Sequence, residues 1–199
     1  MERNLKENII PFWLSKSIDK TDGGYLLGHD IKGLPQGNPP NKGIVTQARM
    51  VWFFSRLARE GYTPTQTLPA AEHGFRFLRD KMWDKVNGGF FWEVDVTGAR
   101  QIQPGKHLYG QAFALYALSE YYLASQNKES LDLANTLFRA MEGKAYDKEF
   151  GGYRESFKVD WSEMPPTERH DMGPSNLKLM NTHLHLMEAI ATYYRASKL

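Results

Sequence analysis

Four polar side chains lie in stretches that otherwise read as apolar helix, and their types suggest sugar chemistry. Arg49 interrupts Thr46-Gln47-Ala48-Arg49-Met50-Val51. A guanidinium there must either find a carboxylate, such as Glu120 or Glu188, or face a wet cavity and touch a ligand. Both alternatives stay open on sequence alone. Tyr109, in Lys106-His107-Leu108-Tyr109-Gly110-Gln111-Ala112, can offer its hydroxyl to a sugar or simply pack. Gly110 beside it permits close approach of a ligand or of a neighbouring helix. Asn181 and His185 are four apart and share a helix face. Together they read as a hydrogen-bonding, proton-handling couple, because imidazole exchanges protons near neutral pH. The plainer alternative for His185 is a core histidine satisfied by a neighbour. His183, two residues away, points to a very different side. His183 and His185 therefore make a poor metal site, with no third histidine or carboxylate at ligand spacing.

The elements that must position these groups repeat. Asp19-Lys20-Thr21-Asp22-Gly23-Gly24-Tyr25, Asp84-Lys85-Val86-Asn87-Gly88-Gly89-Phe90 and Asp147-Lys148-Glu149-Phe150-Gly151-Gly152-Tyr153 are copies of one motif. They start 65 and then 63 residues apart. A fixed period of this length marks one supersecondary unit used three times. Two kinds of helix alternate between the motifs. Residues 44–58, 109–123 and much of 177–194 are apolar nearly all round and belong to an enclosed layer. Residues 66–83 and 130–142 are apolar on one face, and 4–17 is a similar helix interrupted near Pro11. Thr63-Pro64 marks the start of the second one-faced helix. After each Gly-Gly pair the pattern alternates as a short strand would, as in Phe91–Asp95 and Tyr153–Phe157, so each unit is expected to carry a hairpin between its outer and inner helix. The connection 159–176 is longer and reads as functional or mobile. The fold class is therefore all-α. It is an α/α toroid of three helix pairs, about 64 residues each, and residues 1–199 form a single domain.

Composition excludes several functions. Lys and Arg number 25 against 23 Asp and Glu, a formal charge of +2 with no basic stripe, so no nucleic-acid partner is expected. No apolar run is long enough for a membrane span, and the polar start lacks a signal-peptide core. With no cysteine there is no disulfide or thiolate chemistry, which fits a reducing cytoplasm. Aromatics make up 13%, with five Trp and ten Tyr, which suits sugar stacking as well as core.

Lys106 through Tyr122 resembles a segment of cellobiose 2-epimerases, in the N-acylglucosamine 2-epimerase superfamily. Met180-Asn181-Thr182-His183-Leu184-His185-Leu186-Met187-Glu188-Ala189 is similar to the same family's Asn-Thr-His-Leu-His signature, and Gln47–Arg56 fits as well. The superfamily fold is an (α/α)6 barrel, so the likeness covers about its N-terminal half. The resemblance implies cofactor-free epimerisation of the reducing-end glucose of a β-1,4 disaccharide to mannose, through ring opening and an enediolate. By motif, Arg49 matches the Arg that contacts sugar oxygens and stabilises developing negative charge. Tyr109 matches the site Tyr, and Asn181 and His185 match the pair that binds the sugar and assists ring opening. In such enzymes a histidine pair in the second half moves the C2 proton. It has no counterpart here, so the isolated chain is expected to be inactive.

The alternative is a non-catalytic carbohydrate-binding or interaction half-barrel. A glycoside hydrolase would place two opposed carboxylates where the inner helices begin, and Arg, Tyr, Asn and His stand there instead. A half-ring also exposes its flanks, here including Leu184, Leu186, Ile190 and Tyr194, so a homodimer through exposed half-barrel edges is expected.

Overall fold

The computed structural model describes residues 2–26, 28–34, 41–165, 167–170, 173–174 and 177–198. Helices come in the expected order, outer then inner, three times. They are α1 (residues 2–16), α2 (Ile44–Arg59), α3 (Pro64–Phe77), α4 (Leu108–Ser125), α5 (Lys128–Lys144) and α6 (Met180–Ser197). α2, α4 and α6 form the inner layer. Alanine and leucine on nearly every side of α4, including Ala112, Ala114, Leu115, Ala117 and Leu118, are wholly buried, as an enclosed helix requires. The break expected near Pro11 is instead a π-helical turn, Leu5–Ile9, just before it. α3 starts at Pro64 after Thr63, whose φ is 43°, and continues into a π-helical turn at Leu78–Met82.

One device is built three times. In each motif both glycines have positive φ, between 66° and 84°, a region a Cβ disfavours. The turn brings the following aromatic back to bridge the residue before the aspartate, in the pairs Ile18–Tyr25, Trp83–Phe90 and Tyr146–Tyr153. The aspartate's Oδ1 accepts two backbone N–H groups of its own turn, those of Val86 and Asn87 in the second copy, at 2.9 and 3.0 Å. Its Oδ2 accepts the ammonium of a lysine that stands just before an inner helix: Lys42 to Asp19 at 2.7 Å, Lys106 to Asp84 at 2.8 Å, and Lys178 to Asp147 at 2.7 Å. Five residues after each lysine, an inner-helix side chain holds the aromatic's backbone. Gln47 bonds both N–H and C=O of Tyr25 (2.9 and 2.8 Å), and Gln111 does the same for Phe90 (2.8 and 2.9 Å). His183 Nε2 takes only the N–H of Tyr153, at 3.1 Å.

The strands differ from expectation. β1 (Lys42–Gly43) pairs with β2 (Glu93–Val94), and β4 (Lys106–His107) pairs with β5 (Ser156–Phe157) in the same antiparallel register. Both ladders join the start of one inner helix to the following unit. β2 with β3 (Gln101–Gln103) is a hairpin within a unit between its outer and inner helices, as is the pairing of Arg169–His170 with Gly173–Pro174 in the third unit. The ladders run between units because the Gly-Gly turn is closed by its own bridge, which sends the next residues past the neighbouring inner helix. Their carbonyls then cap it: Ile44 N–H donates to Trp92 O at 2.9 Å and Leu108 N–H to Glu155 O at 2.7 Å.

Of the long connection 159–176, residues 166, 171, 172, 175 and 176 lie outside the described residues, as does any functional or mobile role for them. Its start is packed: Trp161 is 5% exposed and donates Nε1–H to Gly88 O at 3.0 Å. β6 (Arg169–His170) and β7 (Gly173–Pro174) pair further on.

Lys106 is wholly buried, whereas the Lys178 side chain is 35% exposed. Burial alone would raise the Asp84 pKa, but Lys106 and the N–H groups of its turn outweigh that and hold it at about 2. Lys106→Met strands a buried carboxylate and is expected to cost about 3–5 kcal/mol. Lys178→Met, at a partly solvated pair, is expected to cost about 1 kcal/mol or less. Urea unfolding of the two variants at neutral pH checks the ranking. Because the native Asp84 pKa lies below the unfolded value, its contribution is complete above roughly pH 4 and lost as pH falls toward about 2. In the Lys106→Met variant that acid loss is expected to shrink.

Candidate functional site

The repeated lysine gives the inner helices a common register. Seven residues after it stand Arg49, Phe113 and His185; three after it, Val45, Tyr109 and Asn181; ten after it, Trp52, Tyr116 and Glu188. These offsets fall on one helical face. All four sequence-predicted site residues therefore lie on the same face of the inner layer.

Phe113 gathers three of them. The Arg49 guanidinium sits 5.3 Å from its ring centroid, the His185 ring 4.6 Å away and the Tyr109 ring 5.0 Å away. Tyr109 and His185 also meet edge-on at 5.4 Å. One row further along, Trp52 and Tyr116 lie 5.2 Å apart. The hydroxyl of Tyr116 is held above the usual phenol range by burial, then by the carboxylates of Glu188 and Glu120, so it stays a neutral donor.

One open alternative closes and one expectation needs correction. Arg49 makes no ion pair among the described residues; it is exposed, and Glu120 is taken instead by Arg59 at 2.6 Å. His185 does not couple to Asn181: its Nδ1 bonds Glu188 Oε2 at 2.8 Å, while Asn181 is exposed on the same face. A carboxylate only accepts, so in the neutral ring Nδ1 carries the proton and Nε2 keeps its lone pair. Gly110 proves to admit a helix rather than a ligand: a Cβ there would lie 2.6 Å from Ile44 Cγ2.

Glu155 went unnoticed in the sequence. It is 1% exposed and staples the starts of α4 and α6, two of the three helices that bear site residues. Its backbone O takes Leu108 N–H at 2.7 Å, and its side-chain Oε1 takes Leu179 N–H at 2.7 Å. Burial pushes its carboxyl above the usual range. His107 caps α4, its Nδ1 accepting Tyr109 N–H at 3.2 Å. Glu155 stands two residues past the aromatic of the third motif, where the second motif has Trp92; that break in the repeat was its only sequence signal. Among the described residues no three His, Asp or Glu side chains converge as metal ligands would. No helix there is long and apolar enough to cross a membrane.

A curved layer of inner helices, backed by outer ones and carrying guanidinium, phenol, carboxamide and imidazole beside aromatic rings, defines a half-ring α/α protein. The sequence model of the N-acylglucosamine 2-epimerase (GlcNAc 2-epimerase) family matches residues 24–198. The chain belongs to that family. It is 40% identical to a cellobiose 2-epimerase of Dictyoglomus turgidum across 98% of this chain and 48% of that one. The solved cellobiose 2-epimerase of Spirochaeta thermophila superposes on all of the chain at TM-score 0.89 and 37% identity, with 48% of its own length covered. That of Bacillus thermoamylovorans gives 0.90 and 34%, with 50% covered. The chain thus spans about half the length of the relatives it matches.

Two stability results are expected from urea titrations. Glu155→Ala loses an acceptor for the α6 start and costs about 1–3 kcal/mol, whereas Glu155→Gln keeps the acceptor and stays close to the parent at neutral pH. The native pKa of Glu155 is raised, so its stabilisation is full at low pH and fades as pH rises through that value. Glu155→Gln should therefore gain on the parent with rising pH. His183→Gln restores the residue of the other two copies and is expected to stay within about 1 kcal/mol of the parent, with His183→Ala losing about 1–3 kcal/mol.

Proposed function

We propose that the chain supplies one wall of a sugar 2-epimerase site acting on the reducing-end glucose of a cellobiose-type disaccharide. The observation that carries this reading is the convergence of Arg49, Tyr109 and His185 around Phe113, with Glu188 setting the His185 ring so that Nε2 is left to the site.

The chemistry follows from those groups. Closed glucose must open before C2 becomes acidic. Neutral His185 takes the proton of the anomeric hydroxyl on Nε2. The ring C–O bond then breaks, and the imidazolium returns a proton to the ring oxygen. Glu188 steadies the cation formed in between. Tyr109 and Asn181 hold sugar hydroxyls by hydrogen bonds. Removal of the C2 proton from the open aldehyde leaves an enediolate, and Arg49 stabilises its oxygen, where a fixed cation is worth most. Return of the proton to the opposite face gives mannose. In the family this step belongs to a histidine pair beyond the stretch matched here, so the reading for this chain by itself is a sugar-holding wall without turnover. No cofactor is assigned, and the site needs none for this sequence of proton transfers.

Titration of cellobiose into the isotope-labelled chain by NMR is expected to shift signals of Tyr109, Asn181 and His185. Arg49→Ala is expected to weaken binding by about 10- to 100-fold, the value of a charged hydrogen bond. Retained affinity in that variant counts against the assignment. In heavy water the chain alone is expected to leave the C2 hydrogen of cellobiose unexchanged. Deuterium at C2 would show that proton transfer is complete within these residues.

A further inference from the structure

The second Gly-Gly turn differs from the other two in its covalent chemistry. Its glycine pair follows Asn87, where the first copy has Asp22 and the third has Phe150. Asn87-Gly88 is the only Asn-Gly pair in the chain. Gly88 has no side chain to hinder attack of its own amide on the preceding carboxamide. In that reaction Gly88 N bonds to Asn87 Cγ, the Cγ–Nδ2 bond breaks, and ammonia leaves with the proton of Gly88 N–H. Water then opens the cyclic imide at either of its carbonyl carbons, giving an aspartyl or an isoaspartyl residue. Phe150 offers no such group, and at Asp22 the same ring closure would have to expel water.

The folded turn opposes each part of this reaction. Asn87 is exposed to water, but the groups that must move are held. The attacking amide, Gly88 N–H, donates to Asp84 O at 2.9 Å. Asn87 donates its N–H to Asp84 Oδ1 and its Nδ2–H, the leaving group, to Asp84 Oδ2, both at 3.0 Å. Asp84 is itself fixed by Lys106 at 2.8 Å. From the third unit, Trp161 donates its indole N–H to Gly88 O at 3.0 Å. Its ring lies so close over Gly89 that a Cβ there would stand 2.5 Å from Trp161 Cζ2. Trp161 does this at a φ of 66°, a conformation that a bulky residue seldom adopts. Nucleophile, leaving group and the following carbonyl are thus all restrained by one aspartate and one indole.

We propose that Asn87 is a site of spontaneous deamidation gated by the second clamp. Ring closure waits for the Asp84 turn to open, and Lys106 and Trp161 keep it closed. Water already reaches the side chain, so the local opening sets the rate. The aspartyl product repeats the first copy, which carries Asp22 at this place. The isoaspartyl product lengthens the backbone between this residue and Gly88 by a methylene. That draws Gly88 N–H off Asp84 O and displaces the residues up to Phe90, whose N–H and C=O are bonded by Gln111 of α4. Isoaspartate here therefore loosens the anchorage of the helix that carries Tyr109 and Phe113.

Ageing of the purified chain in mildly alkaline buffer tests this, beside the same chain unfolded in guanidinium chloride. Tryptic peptides, Val86–Arg100 among them, are followed by mass spectrometry, and isoaspartyl methyltransferase labelling separates the two products. In the unfolded chain Asn87 is expected to convert ahead of every other asparagine. In the native chain it is expected to convert at least about 10-fold more slowly. Trp161→Phe keeps a ring and loses the N–H, and is expected to speed the native conversion by about 2- to 10-fold. Lys106→Met is expected to speed it further; where that variant does not fold, Trp161→Phe decides alone. A native rate equal to that of the unfolded chain, or one that Trp161→Phe leaves unchanged, overturns the proposal. So does prior conversion of a different asparagine in the unfolded chain.

Discussion

The structure depends on a lysine ammonium meeting the aspartate of a Gly-Gly turn three times, buried in two copies and partly solvated in the third. Lys42, Lys106 and Lys178 each reach back to the aspartate that opens a Gly-Gly turn. A lysine is almost never fully buried without such a partner. Desolvation draws Lys106 below the ordinary lysine range, and Asp84 offsets part of that cost. The aspartate cannot swing away to solvent, because its other oxygen is committed to the turn's own N–H groups. The pair therefore fixes where each inner helix begins relative to the turn before it. A uniform starting point is what allows offsets of three, seven and ten residues to fall on one concave face in all three copies.

Much of this was legible in the sequence, and the residues that were not have a common physical reason. The order of helices, the entry at Thr63-Pro64 and the positive-φ glycines follow from local patterns that the structure repeats. Arg49, Tyr109 and His185 stood out as polar interruptions of apolar helices. The clamp lysines did not, because a lysine near a helix start looks like ordinary surface. Their distance from the aspartate also varies, at 23, 22 and 31 residues, with the length of the intervening connection. What stays constant is the spacing of five from lysine to Gln47, Gln111 or His183, a regularity visible only once the copies are aligned from the helix rather than from the glycines. The inter-unit ladders were hidden for another reason: two-residue strands are too short to show alternation. Glu188 was weighed as a partner for Arg49, although its i, i+3 relation to His185 points to the nearer bond.

Coupling between units and construction of the site are one problem. α2 and α4 are each capped by a carbonyl of the following unit, so the site residues of those units are held by a neighbour as much as by their own unit. Glu155 is the sharpest instance. One residue supplies a backbone carbonyl to α4 and a carboxylate oxygen to the start of α6. Tyr109 and His185, which those helices carry, are thereby set edge to face at 5.4 Å. A neutral side chain could do the same holding. The carboxyl, raised by burial, behaves much like one.

The two adjacent histidines show how a repeat separates scaffold from chemistry. His183 occupies the place of Gln47 and Gln111, and His185 that of Arg49 and Phe113. Each ring carries its proton on Nδ1: His183 donates to Leu179 O at 2.9 Å, and His185 to Glu188 at 2.8 Å. The tautomer is the same, and the outcome is opposite. Nε2 of His183 is spent on the N–H of Tyr153, which a protonated ring could not accept. That contact uses the Nε2 lone pair, while the turn itself is closed by the Tyr146–Tyr153 bridge. Nε2 of His185 meets no donor among the described residues and faces the concave side beside Phe113. Proton exchange at His185 breaks no backbone bond, whereas the same event at His183 would undo the third copy of the clamp's companion contact. Two residues of spacing, which turn a side chain by about half a helical circumference, are enough to assign one imidazole to the fold and leave the other for a sugar.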